Sequence, residues 1–465
     1  MIGPSSSGEV RSPYSDAVVG QVDRASAADV EGALSVAESR FRDRDAWLPP
    51  HERIAVLKRA AALLDARRDE LARLIAAEGG KPLVDAEVEV SRAVNGVELC
   101  AEEVGRIHGD EIPMGLTAAS VGRLAVTTRE PIGVVAAVSA FNHPLNLIVH
   151  QVGPAVAAGC PVIVKPSTDT PLSCLAFADV LAEAGLPEGW VQPLVCDNDV
   201  AEGLVTSERI AFFSFIGSAR VGWALRSKLA PGVRCALEHG GAAPLLVDAA
   251  ADLDLAVELI LKGGYYHAGQ VCVSVQRVFA HASVAGELVA RLTPRVEALR
   301  VGDPLSEHTE VGPLIRSGEV TRVGSWVDEA VAAGAGLAAG GRALDHQCYA
   351  PTLLVDPPAG CSVMRQEIFG PVVSVVATPS LDDAIGRAND IPWAFQAAVV
   401  TQDLDVALRA ARRLDATAVM VNDHTAFRAD WMPFGGRRAS GLGMGGMAAA
   451  VEEMTRLKMI VLRER

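Results

Sequence analysis

Apolar residues recur at helical spacing through the first part of the chain. Residues 26–42 read as one helix with Ser26 as its candidate cap. Residues 50–78 read as a second, with Ile54, Leu57, Ala61, Leu64, Leu71 and Ile75 on one face and Gly79-Gly80 as its stop. A third covers 84–105. The pattern then changes. Residues 121–129 alternate and are rich in Val and Thr, which predicts a strand. Residues 133–139 (GVVAAVS) and 161–165 (PVIVK) are short unbroken apolar runs between turn signals, as buried parallel strands are. A helix over 145–158 separates them and another over 172–184 follows. A strand over 211–216 leads through Gly217 into a helix over 220–229. Strand and helix alternating at this pace predict βαβ units. A second α/β segment opens at Pro244-Leu-Leu-Val, with a helix over 255–268, a strand over 273–280 and an amphipathic helix over 285–298 that Pro294 is expected to kink or split. Further α/β elements run to Val421. Residues 423–446 read as loop, and the tail ends in an apolar strand-like run, Lys458-Met-Ile-Val-Leu462.

Composition narrows the class. The chain has 465 residues, enough for about two to four domains. With 50% hydrophobic and 21% charged residues it can bury a large core. A net charge of −15 argues against nucleic acid or an anionic membrane as partner, though a local basic pocket for a small anion survives such a balance. Eight cysteines without a C-x-x-C pair do not read as a disulfide framework or a zinc site, and no metal is expected. The opening MIGPSSSGEVRSPYSD has no apolar h-region and no apolar run reaches membrane-spanning length, so a cytoplasmic protein is expected.

Four local clusters carry candidate chemistry. In Phe141-Asn142-His143-Pro144 an amide sits at a strand end, where it could donate to a developing oxyanion or simply form a turn. In Leu237-Glu238-His239-Gly240-Gly241 a carboxylate follows an apolar run, as a general base or an ordinary surface Glu. In Gly269-Gln270-Val271-Cys272 a thiol lies near a helix terminus, as a nucleophile or inert core. The fourth, Gln366-Glu367-Ile-Phe369-Gly-Pro371, is locally only a loop. To these are added Lys165-Pro-Ser167, Phe215-Ile-Gly217-Ser218, Val311-Gly-Pro-Leu-Ile315 and Pro433-Phe-Gly-Gly436…Ser440-Gly441. In this order and spacing the chain resembles the NAD(P)-dependent aldehyde dehydrogenase superfamily over nearly its whole length.

The resemblance implies an α/β fold with a Rossmann-like cofactor domain, an α/β catalytic domain and a small β oligomerisation element. The cofactor domain would take 1–115 and 132–241, the catalytic domain 242–441, and the oligomerisation element 116–131 and 442–465, giving a homodimer or homotetramer. Cys272 would be the nucleophile. Asn142 and the Cys272 N–H would hold the oxyanion, and Glu238 would activate water to hydrolyse the thioester. For NAD or NADP there is no G-x-G-x-x-G; instead Gly217-Ser218-Ala-Arg-Val-Gly222 would meet the pyrophosphate. Lys165 and Ser167 would serve the adenosine half, and Glu367 the nicotinamide ribose, with Phe369 packed nearby. Thr168 stands where NAD-preferring members commonly have Glu. It repels no 2′-phosphate, so NADP is expected to be tolerated or preferred unless Asp169 points inward. His239, where Leu is more usual, reads as packing.

At the substrate end, His143 follows the oxyanion amide and Arg428 lies in the loop over 421–433; Arg92 is a third candidate. Both the loop and the Phe-Asn-His-Pro segment resemble those of phosphonoacetaldehyde dehydrogenase-like members. A small aldehyde with a carboxylate, phosphonate or sulfonate end would suit an Arg there. Two features count against that reading. Val271 is apolar beside the nucleophile, and Arg428 could instead pair with Asp430 or Asp423. A CoA-acylating relative is the nearest alternative, against which Glu238 speaks. Esterase activity, or a catalytically silent scaffold with the same fold, are further ones; retention of Cys272, Asn142, Glu238, Lys165 and Glu367 speaks against the scaffold.

Overall fold

The computed structural model describes residues 7–464. Its first helix, Ala27–Arg42, begins at Ser26 through a reciprocal cap: Ser26 Oγ accepts the Asp29 N–H at 3.3 Å, and the Asp29 carboxylate accepts the Ser26 N–H at 2.7 Å. The run over 50–78 is two helices rather than one, Pro50–Ala66 and Arg68–Gly79, with the break at Arg67. No Gly or Pro marks that break. The turn lets both pieces pack on the long helix Leu83–Val104, which one straight rod could not do. Pro294 lies inside the helix Ala282–Glu297 without splitting it. It stands near the last turn, where only one intrahelical bond is lost.

Three larger sheets organise the chain. The first has the strand order Gly441–Leu442, Arg234–Glu238, Ile210–Ile216, Val134–Val138, Val162–Lys165, Val191–Pro193. Its last five strands are parallel, and Gly441–Leu442 closes the edge antiparallel to Leu237 and Glu238. The chain winds outward from Val134–Val138 first to one side and then to the other. A crevice therefore opens at the carboxyl ends of the central strands, the usual ligand position in such sheets. The second sheet has seven strands, in the order Gly336–Ala339, Thr352–Val355, Val372–Thr378, Val275–His281, Ala243–Val247, Gln396–Val400, Ala418–Val421. All its pairs are parallel except the first. Its core is a continuous cluster of Val, Leu and Ile between sheet and helices.

The third sheet is an antiparallel ribbon in which Thr455–Arg463 and Glu111–Ile112 flank Arg123–Pro131. The free edge strand Thr455–Arg463 exposes Leu457, Met459, Ile460, Val461 and Leu462 to between 41% and 60%. Just before it, the helix Met447–Glu453 buries Met447 and Val451 against Leu83–Val104 and the wholly buried helix Asn146–Ala158. Among the described residues no helix is long and apolar enough to cross a membrane, and no group of His, Cys, Asp and Glu is placed to hold a metal.

Candidate active site

One cleft of ≈ 700 Å³ lies between the two large sheets. Every candidate catalytic, cofactor and substrate residue named from the sequence lines it except Gly222. Strand ends explain the convergence. Asn142 follows Val134–Val138, Lys165 ends its strand, Gly217 follows Ile210–Ile216, and Glu238 ends its strand.

On the cofactor side, Lys165 is largely buried and burial pushes its ammonium below the usual range. Its nearest carboxylates, Asp169 and Asp197, form no ion pair with it among the described residues. Ser167 and Thr168 continue the same wall. Asp169 does not confront the cleft as a free charge, because Arg316 holds it with two of its three guanidinium nitrogens, Nε at 2.9 Å and Nη2. Ser218 caps the helix Ala219–Arg226 with its backbone, its carbonyl accepting the Val221 and Gly222 N–H groups, while its hydroxyl makes no cap bond, so that hydroxyl and the Ala219 and Arg220 N–H groups have no partner among the described residues. The Gly217 turn is clipped to the neighbouring strand from both sides. Its N–H donates to Glu238 O at 3.1 Å, and His239 Nδ1 lies 2.9 Å from Gly217 O. Gly222 is one layer back. A Cβ there would fall on the His239 ring, so this glycine permits close helix–strand packing, and His239 is the packing residue it accommodates between Phe215 and Trp223.

Glu367 enters from the other sheet across Gly240, where any Cβ would fall on its carboxylate. Burial lifts its pKa to about 8, opposed by Arg322 and by the Gly241 N–H, and its Oε1 is buried with no partner. Phe369 packs edge-on against Phe141, with ring centroids 5.8 Å apart. An unpaired buried ammonium, an orphaned carboxylate oxygen and an open helix terminus fit a ligand with ribose hydroxyls and phosphates.

On the catalytic side, Cys272 follows a short stretch of left-handed backbone at His267, Ala268 and Gly269, with φ of +47°, +54° and +69°. Gly269 needs that freedom, because a Cβ would strike Gly370 O. Gln270 fixes the turn by donating to Pro313 O at 3.2 Å and accepting the Ile315 N–H at 3.0 Å. Asn142 Nδ2 donates one N–H to Gln270 O at 2.8 Å, which leaves its second N–H for a ligand. Burial, then Glu367 and Glu238, push the Cys272 thiol up to about 12, against the pull of Arg428. Burial also raises the Glu238 carboxyl, again opposed by Arg428. Its Oε1 lies against Gly445, where a Cβ would displace it.

The substrate end holds two polar networks. His143 Nδ1 lies 2.8 Å from Lys81 Nζ, and Lys81 is bonded to Glu89. Both partners are fully buried, and Glu89 also takes the N–H groups of Leu145 and Asn146 at 2.9 and 3.0 Å. Burial and Lys81 push His143 down to about 4, so its imidazole is neutral. In the second network Arg92 meets Asp430 with Nη2 at 2.7 Å and Nε at 3.1 Å. Arg92 thus lines the cleft with two of its nitrogens already committed. Arg428 pairs with neither Asp430 nor Asp423. It lies over Phe434, 3.6 Å from ring centroid to Cζ, with Nη2 at 3.1 Å from His150 Nδ1 and a buried Nε that has no partner. His150, Lys81 and Glu89 were missed from the sequence, as was Arg220, an exposed cleft residue, while Asp430 was named there only as a partner for Arg428 and serves Arg92 and His150 instead. A usable signal existed: Asn146 and His150 stand four apart in a helix whose only other polar side chain is Gln151, and Lys81, Asp85 and Glu89 repeat at the same spacing.

A model of the aldehyde dehydrogenase family matches residues 3–460. The 3-sulfolactaldehyde dehydrogenase of Priestia aryabhattai is 40% identical over 456 residues, 98% of this chain and 94% of that protein. The aspartate-semialdehyde dehydrogenase 1 of Pseudomonas canavaninivorans is 37% identical over 454 residues, 98% of this chain and 96% of that one. Among solved structures, aldehyde dehydrogenase 21 from Physcomitrella patens, in complex with the reaction product succinate, superposes with a TM-score of 0.95 at 33% identity, covering 100% of this chain and 96% of that one. The glyceraldehyde-3-phosphate dehydrogenase of Methanocaldococcus jannaschii, complexed with NADP, gives 0.94 at 33% identity with 100% of both chains covered. The chain belongs to the aldehyde dehydrogenase family, and it is an enzyme that oxidises an aldehyde to a carboxylic acid with NAD or NADP.

Proposed function

We propose that the enzyme oxidises a short aldehyde with an anionic group at its far end, through a thioester on Cys272. The carrying observation is Arg428, a guanidinium with no carboxylate partner and an unsatisfied Nε, in the same cleft as Cys272 and Glu238. A cation so placed is short of one anion. Relatives named for 3-sulfolactaldehyde and aspartate semialdehyde, and a neighbour holding succinate, support the same class.

In this reading the Cys272 thiol gives its proton to solvent water and Sγ adds to the aldehyde carbon. The oxygen of the thiohemiacetal receives the free Asn142 amide N–H and the Cys272 N–H, donors fixed before the reaction begins. A nicotinamide held in the cleft would supply the hydride acceptor that oxidation of this carbon to the thioester requires. Glu238 then takes a proton from water, which attacks the thioester carbon, and Sγ leaves as the acid forms. Lys165, Ser167, Gly217, Ser218, Glu367 and Phe369 hold the dinucleotide, while Gly222 acts through packing. NADP is accepted alongside NAD. Thr168 is uncharged, Asp169 is neutralised by Arg316, and Arg220 stands at the rim without a carboxylate partner among the described residues. We assign 1–115 and 132–241 to the cofactor domain, 242–441 to the catalytic domain, and 116–131 with 442–465 to an oligomerisation element that pairs copies as a dimer or tetramer, with Glu111–Ile112 lent to the ribbon and Gly441–Leu442 to the cofactor sheet. Eight free thiols suit a reducing, cytoplasmic setting.

Formation of reduced cofactor is the test, with NAD and NADP separately, over aldehydes of equal length ending in neutral, carboxylate, sulfonate or phosphonate groups. Cys272→Ala is the control for background. We expect anionic aldehydes to be preferred and Arg428→Gln to lower that preference by about ten- to a hundredfold, the range for a hydrogen bond to a charged group. Equal turnover of neutral and anionic aldehydes, unaltered by Arg428→Gln, would show that Arg428 only stiffens its loop.

A further inference from the structure

We infer that His150, oriented by Asp430, is the positioning residue that aims Arg428 at the anionic end of the substrate. This rests on the anionic-aldehyde reading above and adds the device that makes it selective.

His150 sits in the helix Asn146–Ala158, every residue of which is buried. The helix carries three polar side chains with long reach, Asn146, His150 and Gln151. Gln151 is spent on the sheet, donating to Val138 O and Ser214. His150 instead bridges two groups of opposite charge. Its Nδ1 is 3.1 Å from Arg428 Nη2 and its Nε2 is 2.7 Å from Asp430 Oδ1. A guanidinium only donates and a carboxylate only accepts. The imidazole can satisfy both in one state alone: neutral, with the proton on Nε2 and the lone pair on Nδ1. A protonated ring would set N–H against N–H at Arg428.

Asp430 fixes that tautomer and is itself fixed. Arg92 grips both its oxygens, and Asn146 Nδ2 reaches Oδ1 at 3.3 Å. The charges that face His150 are therefore Arg92 from the helix Leu83–Val104 and Asp430 and Arg428 from the loop. Arg92 balances Asp430, so Arg428 is the cation of the cluster without an ion pair of its own, Glu238 being the carboxylate that feels its charge. Arg428 is held twice, by the Phe434 face below and by His150 Nδ1 at one nitrogen. Phe434 is backed in turn by Phe395, with centroids 4.6 Å apart. A long side chain held this way loses little freedom on binding, and its unspent N–H groups keep a fixed direction.

The test compares specificity constants for an anionic and a neutral aldehyde of equal length in His150→Gln, His150→Asn, Arg428→Gln and the double variant His150→Gln/Arg428→Gln. Asn keeps an acceptor near the Nδ1 position, whereas Gln reaches toward Asp430 and leaves Arg428 without one. We expect the anionic-to-neutral ratio to fall about tenfold in His150→Gln through KM for the anionic aldehyde, as for loss of one charge-assisted hydrogen bond. It should stay within about twofold of the starting ratio in His150→Asn, and His150→Gln should add nothing once Arg428 is Gln. If Arg428→Gln collapses the ratio but His150→Gln does not, the positioning role is wrong and the substrate reading stands. If both His150 variants lower the ratio alike, the effect belongs to packing and the role is equally wrong. If Arg428→Gln leaves the ratio alone, the substrate reading itself fails. Should the variants not fold, ¹⁵N-histidine spectra of the unsubstituted enzyme decide: an Nε2–H tautomer for His150 at pH 7 is expected, and an Nδ1–H tautomer or an imidazolium overturns the proposal.

Discussion

Cys272 holds its proton at rest. Its thiol is pushed to about 12 by burial and by two flanking carboxylates, and Arg428 is the group that pulls the other way. Cations favour the thiolate, so removing the guanidinium moves the thiol pKa further up. Alkylation of Cys272 by iodoacetamide in the cofactor-free enzyme should therefore be slow at pH 8 and still rising above pH 9. Arg428→Gln should slow it further, by about threefold or more at fixed pH, as mass spectrometry of the labelled peptide would read. An alkylation rate that levels off near neutral pH would contradict this environment. The candidate residues Cys272, Asn142 and Glu238 were legible only together: each alone reads equally as core, turn or surface, and it is their order with the other motifs that carries the resemblance. Their supports were not. Whether Asp430 neutralises Arg92 or Arg428 depends on which side chains share a layer, and residues from three distant segments meet there. Sequence spacing gives no account of that choice.

Parallel strands deliver the site at the scale of elements. Short apolar runs at 134–138 and 162–165 were readable as buried strands, because a strand covered on both faces has no polar alternation to hide. The break at Arg67 was not readable, since both sides keep the same helical period and the turn serves packing on a third helix. Glycines set the clearances between elements. Gly445 gives Glu238 its room, so Gly445→Ala should displace that carboxylate while sparing Cys272. The expected outcome is a rapid first turnover of reduced cofactor followed by a steady state about a hundredfold slower, since small misplacements of a catalytic group carry costs of that order. Stopped-flow absorbance separates the two phases. Equal loss of both would mean that Glu238 matters as much before the thioester as after it.

For the whole molecule, the antiparallel ribbon presents an apolar edge that a lone chain would leave wet. Replacing Met459 and Val461 together by Lys should lower the assembly mass measured by light scattering toward that of the single 48.6 kDa chain. An unchanged mass would locate the contact elsewhere. The two α/β regions were legible from alternation alone, but their mutual dependence was not, because it runs through two residues. Gly441–Leu442, late in the chain, is the edge strand of the sheet that holds Lys165 and Gly217, and it pairs with the strand ending in Glu238. That pairing has a consequence during synthesis. A ribosome delivers Arg234–Glu238 long before its outer neighbour exists, so the nascent cofactor sheet carries an open edge until the other sheet has been made. A chain stopped after residue 241 would keep that edge permanently, and the two halves cannot be made apart and simply mixed without first guarding it.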